Sequence, residues 1–183
     1  MKVRRKYIRS VAERLLASHA IASAPVPVEQ IASVLGIDIR STRPEDVSLS
    51  GFLVRDDGTG KAIMGVNQAH HINRRRFTIA HEIGHFLLHT DQEIYVDESS
   101  KAGLRISLRD ENSSEGKDIY EIEANEFAAE LLMPVELLRA DIASWNISDE
   151  EKLEKALGTL AKKYKVSKQA LTYRLVNLGY IHL

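Results

Sequence analysis

Arg75-Arg76-Phe77-Thr78-Ile79-Ala80-His81-Glu82-Ile83-Gly84-His85-Phe86-Leu87-Leu88-His89 is the stretch on which the reading of this chain turns. It contains no proline, and Phe77, Ile79, Ala80, Ile83, Phe86, Leu87 and Leu88 place apolar side chains on nearly every side of a helix. A helix apolar all round is a buried one. His81 and His85, four residues apart, lie one above the other on a single face. Buried polar groups are costly unless partnered, and one metal ion would partner both imidazoles. Glu82 follows the first histidine and can reach a water on that metal. This is the H-E-x-x-H zinc-hydrolase arrangement, with Glu82 as general base. A chain of this composition shows the pattern by chance about 0.02 times. The plainer alternative, two core histidines satisfied by backbone carbonyls, leaves the spacing and the intervening glutamate unexplained. Gly84 costs about 1 kcal/mol inside a helix; its expected use is close approach of another element beside the metal.

A catalytic zinc site takes three protein ligands and keeps one position open for water. The chain has no cysteine, so the third ligand is His, Asp or Glu. In the H-E-x-x-H-x-x-G-x-x-H pattern it is a nearby histidine. Here Leu88 and Asp91 stand at the glycine and histidine positions, so that pattern fails. The other source is a later helix. Residues 118–134 form a strong helical stretch closed by Pro134. Within it Glu121 shares a face with Ala124, Asn125, Ala128 and Leu132, small and apolar enough to lie against another helix. Glu123 shares its face with Glu126, Phe127 and Glu130, which is more polar. The pattern favours Glu121 over Glu123. Asn125 is placed to orient a ligand histidine through its amide.

Two blocks, Arg76-Phe77-Thr78-Ile79-Ala80-His81-Glu82-Ile83-Gly84-His85-Phe86-Leu87-Leu88-His89 and Glu121-x-x-Ala124-Asn125-x-Phe127-Ala128-Ala129-x-Leu131-Leu132-Met133-Pro134, together resemble the ImmA/IrrE family of metallopeptidases. The resemblance extends to the Pro-Val-Pro-Val-Glu-Gln-Ile-Ala…Leu-Gly-Ile segment (25–37), to Ser50-Gly51-Phe52 and to Val166-Ser167…Arg174-Leu175. It implies a zincin-like fold whose third ligand comes from the Glu-x-x-Ala-Asn helix, here Glu121. It also implies proteolysis of helix-turn-helix repressor proteins. The resulting expectation is a cytoplasmic zinc endopeptidase in which His81, His85 and Glu121 hold Zn²⁺ with a water in the fourth position. Glu82 takes the proton of that water and returns it to the leaving amine. The alternative is a DNA-binding or partner-binding regulatory protein with a structural or vestigial zinc site.

Composition agrees with a globular chain. At 183 residues and 44% hydrophobic content it can bury one sizeable core. The lack of cysteine excludes disulfides and thiolate zinc sites, and favours a reducing compartment. No run of 18 apolar residues exists, so no membrane span or membrane partner is expected. Met1-Lys2-Val3-Arg4-Arg5-Lys6 could open a signal peptide. Glu13, Arg14 and His19 interrupt the apolar stretch it needs, and an amphipathic helix using Ile8, Val11, Leu15 and Leu16 fits better. The net charge of −1 is uneven: residues 1–90 carry +5, residues 91–151 carry −12 and residues 152–183 carry +6. The acidic middle favours a cation and suits a basic substrate segment; a solvated acidic face is the plain alternative.

The spacing predicts a mostly helical α+β fold with a small antiparallel sheet of about three strands and a C-terminal helical pair. Helices are expected over 4–20, 27–35 (stopping at Gly36), 72–89, 118–132, 134–144, 149–164 and 168–178. A strand starts at Ile37, a hairpin joins 49–55 to 62–66, and short strands are possible at 93–97 and 104–109. The chain reads as a single metallopeptidase domain, 1–183, with 149–183 a helix-turn-helix-like extension packed on it. Leu160–Leu175, with Lys162, Lys163, Lys165 and Lys168, resembles a DNA-reading pair. Ala170, Leu171, Leu175, Val176 and Leu178 suit packing instead, so direct DNA binding is not expected. Sequence-preferring mobility shift at low salt would separate the two. Arg74-Arg75-Arg76 reads as a solvated helix start. His70, His71 and His89 are not expected as ligands, although His89, two turns from His81, is within reach of a hydrogen bond beside the site.

Overall fold

A helix with no polar face has to be enclosed, and the rest of the fold does this. The computed structural model describes residues 2–43, 50–56, 61–90, 94–96, 114–143, 145 and 150–182. The elements run α1 (Arg5–Ser18), α2 (Val28–Val34), β1 (Ile37–Thr42), β2 (Gly51–Asp56), β3 (Lys61–Asn67), α3 (Ile72–Leu88), β4 (Ile94–Val96), α4 (Ser114–Leu132), α5 (Val135–Ile142), α6 (Glu150–Tyr164) and α7 (Lys168–Asn177). The architecture is a mostly helical α+β fold. Every expected helix forms, most to within one or two residues at each end. None of the described helices is long and apolar enough to cross a membrane.

The sheet departs from expectation in the direction of one pair, and the strand allowed for at 93–97 is present as β4. Among the described residues it has four strands, in the order β1-β3-β2-β4. β2 pairs antiparallel with β3 (Leu53 opposite Met64) and with β4 (Leu53 opposite Tyr95). β1 pairs parallel with β3, Ile37 opposite Ala62 and Thr42 opposite Asn67. β2 runs opposite to β1 one strand away, and the hairpin returns β3 into the gap between them, so β3 runs opposite to β2 and with β1. The strand allowed for at 104–109 lies outside the described residues.

Strand alternation sets which face is covered. Leu53, Ala62, Met64 and Val66 are buried, while Ile63 between them is exposed. α3 packs on β2 and β3 with one side and on α4 with another, and α2 also contacts it. Its buried residues include Arg76, Thr78, Ile79, Ala80, His81, Glu82, Ile83, Gly84, His85 and Leu88. α1 lies on α4, burying Ile8, Ala12, Leu15 and Leu16. Gly36, after α2, takes φ +77, a left-handed turn that a side chain would strain.

Charged groups reinforce the helical side. Glu130 on α4 and Arg174 on α7 are both 4% exposed and pair bidentately, and Arg9 on α1 donates to the same carboxylate at 3.1 Å. Arg174 also donates to the Met133 carbonyl. α6 is held to α5 by the Tyr164 hydroxyl, which donates to Asp141 Oδ2 at 2.9 Å. Asn73 at the start of α3 donates to the Val166 carbonyl at 2.9 Å. Arg76 is not part of a solvated helix start. It is buried and donates to the Val26 carbonyl at 2.8 Å, with Glu29 beside it. Burial lowers its pKa, which Glu29 opposes.

Tyr164 makes alkaline stability informative. Burial pushes its phenol pKa well up, and the Asp141 carboxylate adds to this. An unfolded tyrosine ionises near about 10. Above that pH the folded state binds more protons than the unfolded one, so stability falls as pH rises. The urea midpoint should drop between pH 9 and 11. Tyr164→Phe should start lower, having lost the bond to Asp141, and should drop less over the same range.

Candidate metal centre

The helical spacing of His81 and His85 brings their Nε2 atoms 3.0 Å apart. α4 crosses α3 so that Glu121 faces both: its Oε2 is 3.3 Å from His81 Nε2 and its Oε1 is 3.2 Å from His85 Nε2. Among the described residues these three form a group able to hold a metal ion. The crossing depends on Gly84. A Cβ there would stand 3.1 Å from Phe127 Cδ1, 3.2 Å from Ala124 Cα and 3.3 Å from the Ala124 carbonyl. A Cβ at these distances would need its neighbours to give by a few tenths of an ångström, so α4 lies closest against a glycine, and Ala124 is one turn from Glu121. Gly84→Ala should be nearly neutral, helix propensity offsetting the crowding by about 1 kcal/mol. Gly84→Val should cost roughly 1–3 kcal/mol by overpacking and weaken metal binding. Denaturant midpoints and metal titration measure the two.

The donor chemistry fits a cation. His81 Nδ1 lies 3.0 Å from Asn125 Oδ1, an acceptor, so Nδ1 carries the proton and Nε2 presents its lone pair to Glu121. Two imidazole nitrogens and a carboxylate converge, an arrangement that a shared cation makes favourable. A tetrahedral zinc with bonds of about 2.0–2.1 Å separates its ligand atoms by about 3.3 Å. The separations here, 3.0 to 3.3 Å, match. His81 and His85 are 5% and 1% exposed, while the Glu121 side chain is 37% exposed, so the centre opens to solvent on the α4 side.

Glu82 is fully buried on the same turn as His81. β2 runs close beside it: a Cβ on Gly51 would be 2.5 Å from Thr78 Cγ2 and 3.5 Å from Glu82 Oε1. His81, Glu82, His85, Glu121 and Asn125 are thus gathered where α3, α4 and β2 meet.

The reason for preferring Glu121 over Glu123 needs correcting. Glu123 does not occupy a more polar face; its side chain is 1% exposed, deeper than Glu121. It is satisfied by partners distant in sequence. Arg4 donates from its backbone N–H at 2.9 Å and from Nε at 3.0 Å, and His89 Nε2 lies at 3.2 Å. Burial would raise the Glu123 carboxyl, but the Arg4 bonds hold it at about 2. His89 is buried, stacked on Tyr120 with ring centres 4.2 Å apart, and its Nδ1 lies 3.1 Å from His85 Nδ1. Burial pushes its pKa down to about 4 against the pull of Glu123. The hydrogen bond expected of His89 beside the site is present, to His85, whereas nothing in the sequence links Arg4 to it. The available signal was the i, i+4, i+8 spacing of His81, His85 and His89 on one face.

Residues 32–176 match the family model described as Peptidase_M78, IrrE N-terminal-like domain. No curated protein matches the chain. Among solved structures, it is similar to a Mycobacterium tuberculosis transcriptional regulator, at 17% identity and a TM-score of 0.57. The likeness covers 93% of this chain and 46% of that one, so the chain spans about half that protein's length. At this identity the likeness concerns the fold alone.

Proposed function

The chain belongs to the IrrE N-terminal-like family of M78 peptidases, and from that premise we propose that it is a zinc-dependent endopeptidase cutting a specific protein, a helix-turn-helix transcriptional repressor. The observation that carries the proposal is the convergence of His81, His85 and Glu121 at 3.0 to 3.3 Å with Glu82 buried on the same turn. His81 Nε2, His85 Nε2 and one Glu121 oxygen would hold the ion. When bound, it would supply Lewis-acid polarisation of a peptide carbonyl and acidify water near neutral pH.

The chain's own residues do the rest. Glu82 receives the proton of the attacking water and delivers it to the departing amine. Its burial keeps that proton from exchanging with bulk solvent during the transfer. Asn125 holds the His81 ring with Nε2 turned inward. The Glu121 side chain is 37% exposed, so the centre is reachable from the α4 side. The −12 charge of residues 91–151 supports a basic segment such as DNA-binding proteins carry.

The test begins by identifying a helix-turn-helix regulator encoded beside this chain and incubates it with the protein, with and without a chelator. Cleavage at a defined bond, abolished by the chelator and restored by zinc, is the expected result. An intact regulator that instead binds the protein tightly would overturn the peptidase reading in favour of a partner-binding regulator.

A further inference from the structure

We propose that Arg4, Glu123 and His89 form a hydrogen-bonded chain that fixes the tautomer and ring orientation of His85, making all three positioning residues for the metal centre. The inference rests on the reading of His85 as a metal ligand. Its logic is directional. The Arg4 guanidinium and backbone N–H all donate to the Glu123 carboxylate, which can only accept. Glu123 Oε2 is 3.2 Å from His89 Nε2, so that nitrogen carries the proton. A neutral His89 then presents a lone pair at Nδ1. The atom facing it at 3.1 Å, His85 Nδ1, must be the donor. His85 Nε2 is left with its lone pair, and it is the atom beside His81 Nε2 and Glu121 Oε1.

Geometry keeps this order in place. The His89 ring is stacked on Tyr120, with planes 28° apart, which limits its rotation. Glu123 and His89 are 1% and 0% exposed in their side chains, so water does not compete for their bonds. Arg4, 46% exposed, closes the outer end. The centre is therefore oriented from both sides: Asn125 acts on His81, and the longer chain acts on His85. Ligand histidines held by such partners lose about 10–100-fold in metal affinity when the partner is removed.

Nitrogen-15 spectra of the histidines in the metal-free full-length chain read the tautomers directly. His85 is expected as the Nδ1–H form and His89 as the Nε2–H form; His85 in the Nε2–H form would overturn the proposal. Zinc competition supplies the second readout. His89→Leu should weaken zinc about 10–100-fold, with His85 becoming a tautomer mixture. His89→Gln, whose side-chain oxygen can accept from His85, should recover most of the loss. Equal affinity in His89→Leu and wild type would overturn the chain. If His89→Leu does not fold, Arg4→Met at the exposed end replaces it, with an expected loss of about tenfold; no loss there would count equally against the proposal. Zinc retained by His85→Ala would refute the metal centre itself, while the metal-free tautomers would still decide the chain.

Discussion

Glu82→Gln should retain its metal and its melting temperature and lose cleavage of the cognate regulator by at least about 10²–10⁴-fold, corresponding to roughly 3–5 kcal/mol of barrier. The substitution preserves shape, and Glu82 is not one of the three converging donors. It removes the proton acceptor and little else. The side chain is fully buried beside β2 and α3, so a poorer isostere such as alanine would open a cavity and mix stability with catalysis. Metal analysis, thermal melting and a cleavage time course on one preparation distinguish these effects. Cleavage at the wild-type rate would rule out the proposed proton transfer.

The second large effect is on metal content. The protein should bind about one zinc per chain, and His81→Ala or His85→Ala should abolish this. Glu121→Gln should weaken zinc by more than about 100-fold, beyond the loss from removing an indirect partner. Glu123→Gln should fall in the milder range, because Glu123 acts through His89 and His85. If Glu123→Gln proved the more severe, α4 would present a different carboxylate to the centre from the one assigned here. Full zinc occupancy in both histidine variants would remove the centre altogether.

The comparison of sequence with structure shows where local pattern carries information. The seven helices followed from apolar periodicity and from breakers such as Gly36 and Pro134, whose effects act within a turn. The placement of Glu121 beside the histidines was legible because its small neighbours, Ala124 and Ala128, advertise a close helix contact, and Gly84 supplies the matching gap. Three things were not legible. The direction of β1 depends on which strand the hairpin places beside it, a choice made by the whole sheet. Arg76 looked like a solvated charge until the Val26 carbonyl, 50 residues earlier, arrived to accept from it. Glu123 reads as lying on a more polar face because its neighbours Glu126 and Glu130 are acidic. Its burial depends on Arg4, 119 residues away, and on His89. In each case the deciding partner is tertiary, and no pattern within one element encodes it.

The two helices that supply the donor set also set a thermodynamic link. α3 carries two of the three converging donors and α4 the third, from opposite sides of residues 91–113 in the sequence. An ion shared by them would act as a removable crosslink between two helices that also pack on each other, Gly84 against Ala124 and His89 beside Glu123. Unfolding must break that crosslink, so every tenfold rise in free metal above the dissociation constant adds about 1.4 kcal/mol to the folded state. On the peptidase reading proposed above, metal supply would set the protein's stability and its rate of cleavage together, so that withdrawing zinc would lower both.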